Sequence, residues 1–280
     1  MSGTLYLVAT PIGNLGDISP RMAETLAACD FIAAEDTRVT LKLLNHLGIK
    51  KPLVSYFEHN RAESGEKILR RLLAGETCAL VSDAGMPAVS DPGQDLVALC
   101  AKNGVPVRAV PGPCAAVAAV ALSGLPSGRF CFEGFLSTAR KNRFEHLNSL
   151  KNESRTMVFY EAPHKLLATL RDMLETFGDR RVAVCREITK LHEETLYTTL
   201  SGALEHFQQT PPRGEFVLVV EGAPEDKAPP GTLEGAVQRA LELREQGMPL
   251  KDAARQAAAE TGFPKNAIYA AAVEAEKSGG

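Results

Sequence analysis

Short, nearly unbroken hydrophobic runs alternate with longer stretches in which apolar and polar positions are mixed. The runs Leu5–Ala9, Phe31–Ala34, Leu53–Tyr56, Cys78–Val81 and Val107–Ala109 read as strands buried on both faces. Between them the apolar positions recur at helical spacing, as in Arg61–Leu73, where Ile68, Leu69, Leu72 and Leu73 share one face. Ser19-Pro20 and Asp91-Pro92 each set a capping side chain before a proline and predict helix starts; Asn60 stands where it can cap the helix at Arg61. Strand and helix in alternation predict a mostly parallel sheet covered on both faces, the α/β class.

The pattern changes at Leu125-Pro126-Ser127-Gly128. Phe130–Phe135 is followed by a basic polar stretch, Ser137–Arg143. Strand runs return at Thr156–Tyr160, Arg181–Cys185, Glu194–Thr199 and Glu215–Val220. Two of these are apolar throughout and predict central strands, whereas Glu194–Thr199 alternates and predicts an edge. Ala223–Gly231, rich in Pro, Gly and charge, reads as a linker. Three short amphipathic helices follow, at Leu233–Glu245, Leu250–Glu260 and Pro264–Glu276. Short helices around a Gly turn suggest a helix-turn-helix or a small helical cap. The predicted organisation is an α/β domain over 1–124, a second over 125–222, a linker over 223–231 and a helical domain over 232–280.

Composition narrows the class. The chain has 280 residues, 45% hydrophobic and 23% charged, as in ordinary globular proteins. No apolar run reaches membrane-spanning length and the N-terminus lacks a signal-peptide pattern, which predicts a cytoplasmic protein. A net charge of -3 gives no global attraction to nucleic acid, although a local basic patch is sufficient for RNA. The six cysteines form no C-x-x-C pair and read as reduced, mostly buried thiols; no metal site is predicted.

Three strands open into Gly/Pro loops: Thr10–Asp17, Asp83–Gly93 and Val110–Ala116. Loops at the carboxyl ends of strands build the ligand crevice of an α/β sheet. Neither G-x-G-x-x-G nor G-x-x-x-x-G-K-[ST] occurs, so the commonest nucleotide motifs are excluded. Five motifs follow one another along the chain: Thr10-Pro11-Ile12-Gly13-Asn14-Leu15, Ala34-Glu35-Asp36-Thr37-Arg38, Ser82-Asp83-Ala84-Gly85-Met86-Pro87, Tyr160-Glu161-Ala162-Pro163-His164 and Arg186-Glu187-Ile188-Thr189-Lys190. In this order and spacing the chain resembles the ribosomal RNA small subunit methyltransferase I family of the tetrapyrrole methylase superfamily, over essentially its whole length. Ser137 departs from the pattern, which has Pro there.

The resemblance implies two α/β domains with S-adenosylmethionine bound in the cleft between them, in a homodimer. It implies 2′-O-methylation of a cytidine ribose in the decoding region of small-subunit rRNA, with naked rRNA or the assembled small subunit as partner. A tetrapyrrole or other small-molecule methylase of the same fold, and a noncatalytic ribosome-assembly factor, are the alternatives. On the family's pattern, Pro11 and Ile12 wall the adenosine side, and Gly85, Met86 and Val89 approach the methionine moiety with backbone groups. Asp83 takes the cofactor's ammonium or caps its own loop. The N–H groups of Cys114, Ala115 and Ala116, at a helix start, meet its carboxylate; Tyr160, Arg186 and Glu215 line the adenine side. Glu35, Asp36, Arg38, Arg140, Lys141 and Arg143 face RNA, the basic residues as phosphate contacts. A ribose hydroxyl is a weak nucleophile that needs a base or a polarising partner; Lys190, Glu187, Glu161 and Asp36 are the candidates.

Overall fold

The computed structural model describes residues 2–224 and 232–278, so most of the predicted linker lies outside the described residues. The chain divides into two compact units, Met1–Ala223 and Pro224–Gly280.

The first unit holds two five-stranded sheets. The first comprises β1 (Leu5–Val8), β2 (Phe31–Ala34), β3 (Leu53–Ser55), β4 (Cys78–Val81) and β5 (Val107–Val110), in the order β3-β2-β4-β1-β5. Every pairing is parallel. The inner strands β2 and β4 are buried at every position, which explains their unbroken apolar character. Helices α1 (Pro20–Ala28) and α2 (Thr37–His46) cover one face; α3 (Arg61–Leu73) and α4 (Gly93–Lys102) cover the other. Ser19 caps α1 by accepting from the Met22 amide. Asn60 precedes α3 but does not cap it. Its side chain accepts from the Phe57 amide and donates to the Ser55 carbonyl, closing the turn between β3 and the helix.

The second sheet comprises β6 (Phe130–Phe135), β7 (Thr156–Glu161), β8 (Arg181–Arg186), β9 (Glu194–Thr199) and β10 (Phe216–Val220), ordered β6-β7-β10-β8-β9. Here only β6 and β7 pair in parallel; β10 runs antiparallel to both of its neighbours, and β9 antiparallel to β8. The sheet is therefore mixed. The short 187–193 connection permits only a direct return, whereas a parallel crossover requires a dozen or more residues. The alternating strand β9 does lie at the edge, and apolar β7 and β10 are central.

Helices α6 (Arg140–Ser149), α7 (Leu166–Phe177) and α8 (Leu200–Gln209) follow β6, β7 and β9 and cover one face around Phe159, Leu170, Met173 and Leu218. The other face packs on α5 (Ala115–Leu122), where Ala116, Ala119 and Val120 meet Val158, Ala183 and Val217. Because α5 leaves the last strand of the first sheet and packs on the second, it joins the two halves, and its N-terminus lies between them.

The second unit comprises α9 (Leu233–Glu245), α10 (Leu250–Thr261) and α11 (Lys265–Ser278). Its core is built on Ala236, Ala240, Ala254, Ala257 and Ile268, small residues that allow close helix packing. Gly262 ends α10 in a left-handed conformation. No described helix is long and apolar enough to cross a membrane.

Candidate functional site

The carboxyl ends of β1, β4 and β5 face the carboxyl end of β7 and the start of β10 across a cleft of about 450 Å³. Backbone pairing fixes its first wall. Thr10 and Gly85 exchange N–H···O bonds of 2.9 and 3.0 Å, which joins the loops after β1 and β4 into one antiparallel bridge. The Thr10 hydroxyl also donates to the Ser82 carbonyl. Gly85 sits at φ +82°, and a Cβ there would stand 3.3 Å from Ile12 Cγ2. Asp91 Oδ1 accepts from the amides of Ala88 and Gly93, holding the loop before α4. Ala88 and Ser90 of this loop hold left-handed φ of 67° and 64°, which non-glycine residues rarely adopt.

Ile12, Asp83, Gly85, Met86, Val89, Cys114, Ala115, Tyr160 and Glu215 line this cleft. Three expected residues are placed otherwise. Pro11 borders a second cavity on the far side of the bridge. The Ala116 amide is taken by the Tyr160 hydroxyl at 3.1 Å, so it is committed within the protein rather than offered to a ligand. Arg186 turns away to pair with Glu194 on β9 at 3.0 Å. Gly85 also departs from the reading of its role: both its backbone groups are bonded to Thr10, so it contributes open space rather than a free N–H. The Asp83 side chain accepts from the Asp36 amide at 3.0 Å, linking the loops after β2 and β4.

The cleft contains residues that charge and motif did not single out. Phe135 lines it while 57% exposed, beside the Tyr160 ring at 5.4 Å. Ser90 lines it as well, with Asp91, read from the sequence only as a helix cap, and Ile188 of the fifth motif. For Phe135 and Ser90 the signal in the sequence is position alone, at the end of a strand and within a loop after one. Glu35, expected to face RNA, lines the cleft instead, on the same wall as Asp83. Burial, then the Asp83 charge, raises the Glu35 carboxyl above its usual range; burial and the charge of Asp36 raise Asp83. Cleft carboxylates crowded in this way favour a cationic ligand.

Of the four groups named for proton chemistry, Asp36 is paired with Arg38, and the other three separate into two clusters. Glu161 is 2% exposed, and its oxygens accept from the Ala162 amide and the Thr169 hydroxyl while pairing with Lys165 at 3.2 Å. It lines the cleft, but these three partners make it a structural anchor there. Lys190 Nζ lies 2.9 Å from Glu187 and 3.1 Å from Glu215. Burial opposes its charge, but the hydrogen bonds from Glu187 and Glu215 outweigh it and raise its pKa; Lys190 is a fixed cation. Burial likewise opposes ionisation of Glu187, yet Lys190 and the Glu215 amide hold it below the usual range. Its backbone, with that of Thr189, is left-handed, at φ 51° and 68°. The Lys190 stem lies over Gly13, and Asn14 Nδ2 donates to the Thr189 carbonyl at 3.1 Å.

Of the residues expected to face RNA, Arg38 is 87% exposed at its side chain and pairs with Asp36, whose carboxyl the Arg38 hydrogen bonds lower to about 2. Arg140 and Lys141 are exposed at the start of α6. Arg143 is not. It is buried against Asp172 at 2.7 Å and donates to the carbonyls of Ser137 and Thr138. Its charge is spent holding the loop that precedes α6.

The cleft suits the expected cofactor. Ile12, Met86, Val89 and Ile188 offer apolar walls for a nucleoside, and the acidic side suits an ammonium and a sulfonium. A Cβ at Gly85 would press on Ile12 from a backbone conformation, φ +82°, that side chains rarely adopt.

Comparison with known proteins agrees with this architecture. Residues 4–204 match the model of the Tetrapyrrole (Corrin/Porphyrin) Methylases, and 231–276 that of the RsmI C-terminal HTH domain. The ribosomal RNA small subunit methyltransferase I of Synechocystis is 48% identical over 278 residues, covering 99% of this chain and 100% of that protein. Its namesake from Thermotoga maritima is 51% identical over 220 residues, 79% of this chain and 99% of that protein. The crystal structure of uroporphyrin-III C-methyltransferase from Thermus thermophilus, complexed with S-adenosylhomocysteine, superposes with a TM-score of 0.55 at 18% identity, covering 78% of this chain and 97% of that one. The likeness to that structure carries the fold, and the near-full-length identity carries the family. With the five motifs assembled around one cleft and a matching helical unit following in the sequence, this chain belongs to the ribosomal RNA small subunit methyltransferase I family.

Proposed function

We propose that this protein transfers a methyl group from S-adenosylmethionine to the 2′-oxygen of a cytidine ribose in small-subunit rRNA. The observation that carries the reading is the match to a ribosomal RNA small subunit methyltransferase I across the whole chain, helical unit included. When bound, the cofactor supplies an electrophilic methyl group on a sulfonium. The protein's part is to bind, orient and shield. Ile12, Met86, Val89 and Phe135 enclose apolar surface, while Asp83, Glu35 and Asp91 face positive charge. Tyr160 is held by the Ala116 amide and fixes the second wall. Lys190 acts as a positioned cation that can polarise the ribose hydroxyl, not as a base, because two carboxylates stabilise its charged form. Arg38, Arg140 and Lys141 supply exposed charge for RNA phosphates. The protein works in the cytoplasm as a homodimer; exposed Val117, Leu122 and Tyr197 provide apolar surface that a second copy would cover.

The test is transfer of labelled methyl to small ribosomal subunits that lack their own modification, with the product mapped. Label on one ribose 2′-oxygen is the expected result. Cofactor binding with no transfer to subunits or free rRNA would overturn the reading in favour of a small-molecule acceptor or an assembly factor. Light scattering on the same preparation should give twice the 30.0 kDa chain mass; a single-chain mass would remove the dimer.

A further inference from the structure

The loop after β1 has two sides. Ile12 faces the cofactor cleft, whereas Thr10, Pro11, Gly13 and Leu15 border a separate cavity of about 280 Å³. Its opposite wall is α2, which contributes Val39, Lys42, Leu43 and His46. Ser82 and Asp83 line both cavities, so the partition between them is one loop thick at that point. The Thr10–Gly85 bridge and the Thr10–Ser82 hydrogen bond pin that partition in place.

From this geometry we infer that the second cavity receives the acceptor nucleoside, extruded from the RNA strand. The inference rests on the rRNA methyltransferase reading and locates its substrate. In-line methyl transfer needs the acceptor oxygen within attack distance of the donor, so the acceptor must enter beside the cofactor cleft. A base seated in the second cavity would set its ribose at the rim formed by Ser82 and Asp83, the residues that line both cavities. Pro11, Val39 and Leu43 give apolar surface for an unstacked base, in the way single-stranded RNA is recognised with its bases splayed out. Lys42 and His46 are exposed and supply donors to base edges and phosphate. Leu15 and Val39, at 49% and 38% exposure, leave apolar surface at this cavity with nothing described covering it. Arg38, one residue before Val39 on α2, sets an exposed cation beside it for the flanking phosphates.

The test uses the full chain with two variants. Val39→Trp fills the cavity from an exposed helix position, and Lys42→Ala with His46→Ala removes its donors. Each should raise KM for unmodified small subunits by about tenfold or more, while calorimetric affinity for S-adenosylmethionine stays within about twofold of the parent. If the parent labels rRNA and both variants keep its KM, the acceptor binds elsewhere and the inference fails. If both variants lose cofactor affinity equally, the two cavities are one site and the inference fails as well. A parent that labels no rRNA overturns the underlying function instead. Unchanged melting of the Lys42/His46 variant separates these outcomes from misfolding.

Discussion

Glu35 and Asp36 are chain neighbours with opposite responses to their surroundings. Arg38 holds Asp36 at about 2, so its contribution to stability is present above the ordinary value of 3.8 and is lost as pH falls through about 2. Glu35 is raised by burial and then by Asp83, so its folded form prefers the proton. Stability linked to Glu35 is full below 4.5 and is lost as pH rises through its folded pKa. Glu35→Gln should therefore raise Tm at pH 8 and give no gain at pH 4, as thermal melts at the two values would show. Equal shifts at both would assign the effect to packing. At this scale the sequence revealed which residues carry charge, not where the charge goes. Arg143 stands in a basic stretch, but its partner Asp172 lies on another helix; Glu161 stands in a family motif, but Thr169 and Lys165 claim its oxygens. Such pairings depend on packing that no local pattern records.

At the level of elements, strands were legible because burial on both faces leaves an unbroken apolar signature, as in β2 and β4. Strand direction was less so: apolar runs such as β7 and β10 reveal depth within a sheet, not the orientation of the neighbour. The cleft loops were legible through glycine and proline. Their second side was not, because Pro11 and Ile12 are adjacent yet face different cavities. The loop after β1 also meets the loop after β8. A Cβ on Gly13, at φ +149°, would stand 2.5 Å from Lys190 Cγ and drive that side chain from Glu187 and Glu215. Gly13→Ala should cost about 1–3 kcal/mol in urea unfolding. An unchanged midpoint would mean that Lys190 relocates freely and that its clamp is incidental.

For the molecule as a whole, the division into two units matters most. Every residue that lines either cavity belongs to Met1–Ala223. The Thermotoga maritima relative matches 220 residues at nearly its full length, close to the size of this unit. A chain ending at Ala223 should therefore fold and bind S-adenosylmethionine within about threefold of the full chain by calorimetry. Loss of binding by a folded truncation would give the helices α9–α11 a part in the cofactor site. The strand order of the second sheet has a consequence for how the protein is made. β10 is its last strand in sequence but lies in the middle, between β7 and β8. The first sheet can close once residue 110 has left the ribosome. The second must wait, with β7 and β8 unjoined, until residues 216–220 emerge and insert between them. Because Glu215, Phe216 and Val217 also line the cleft, a nascent chain gains its ligand site at the same step that completes its fold, so cofactor binding would report the end of translation of this unit.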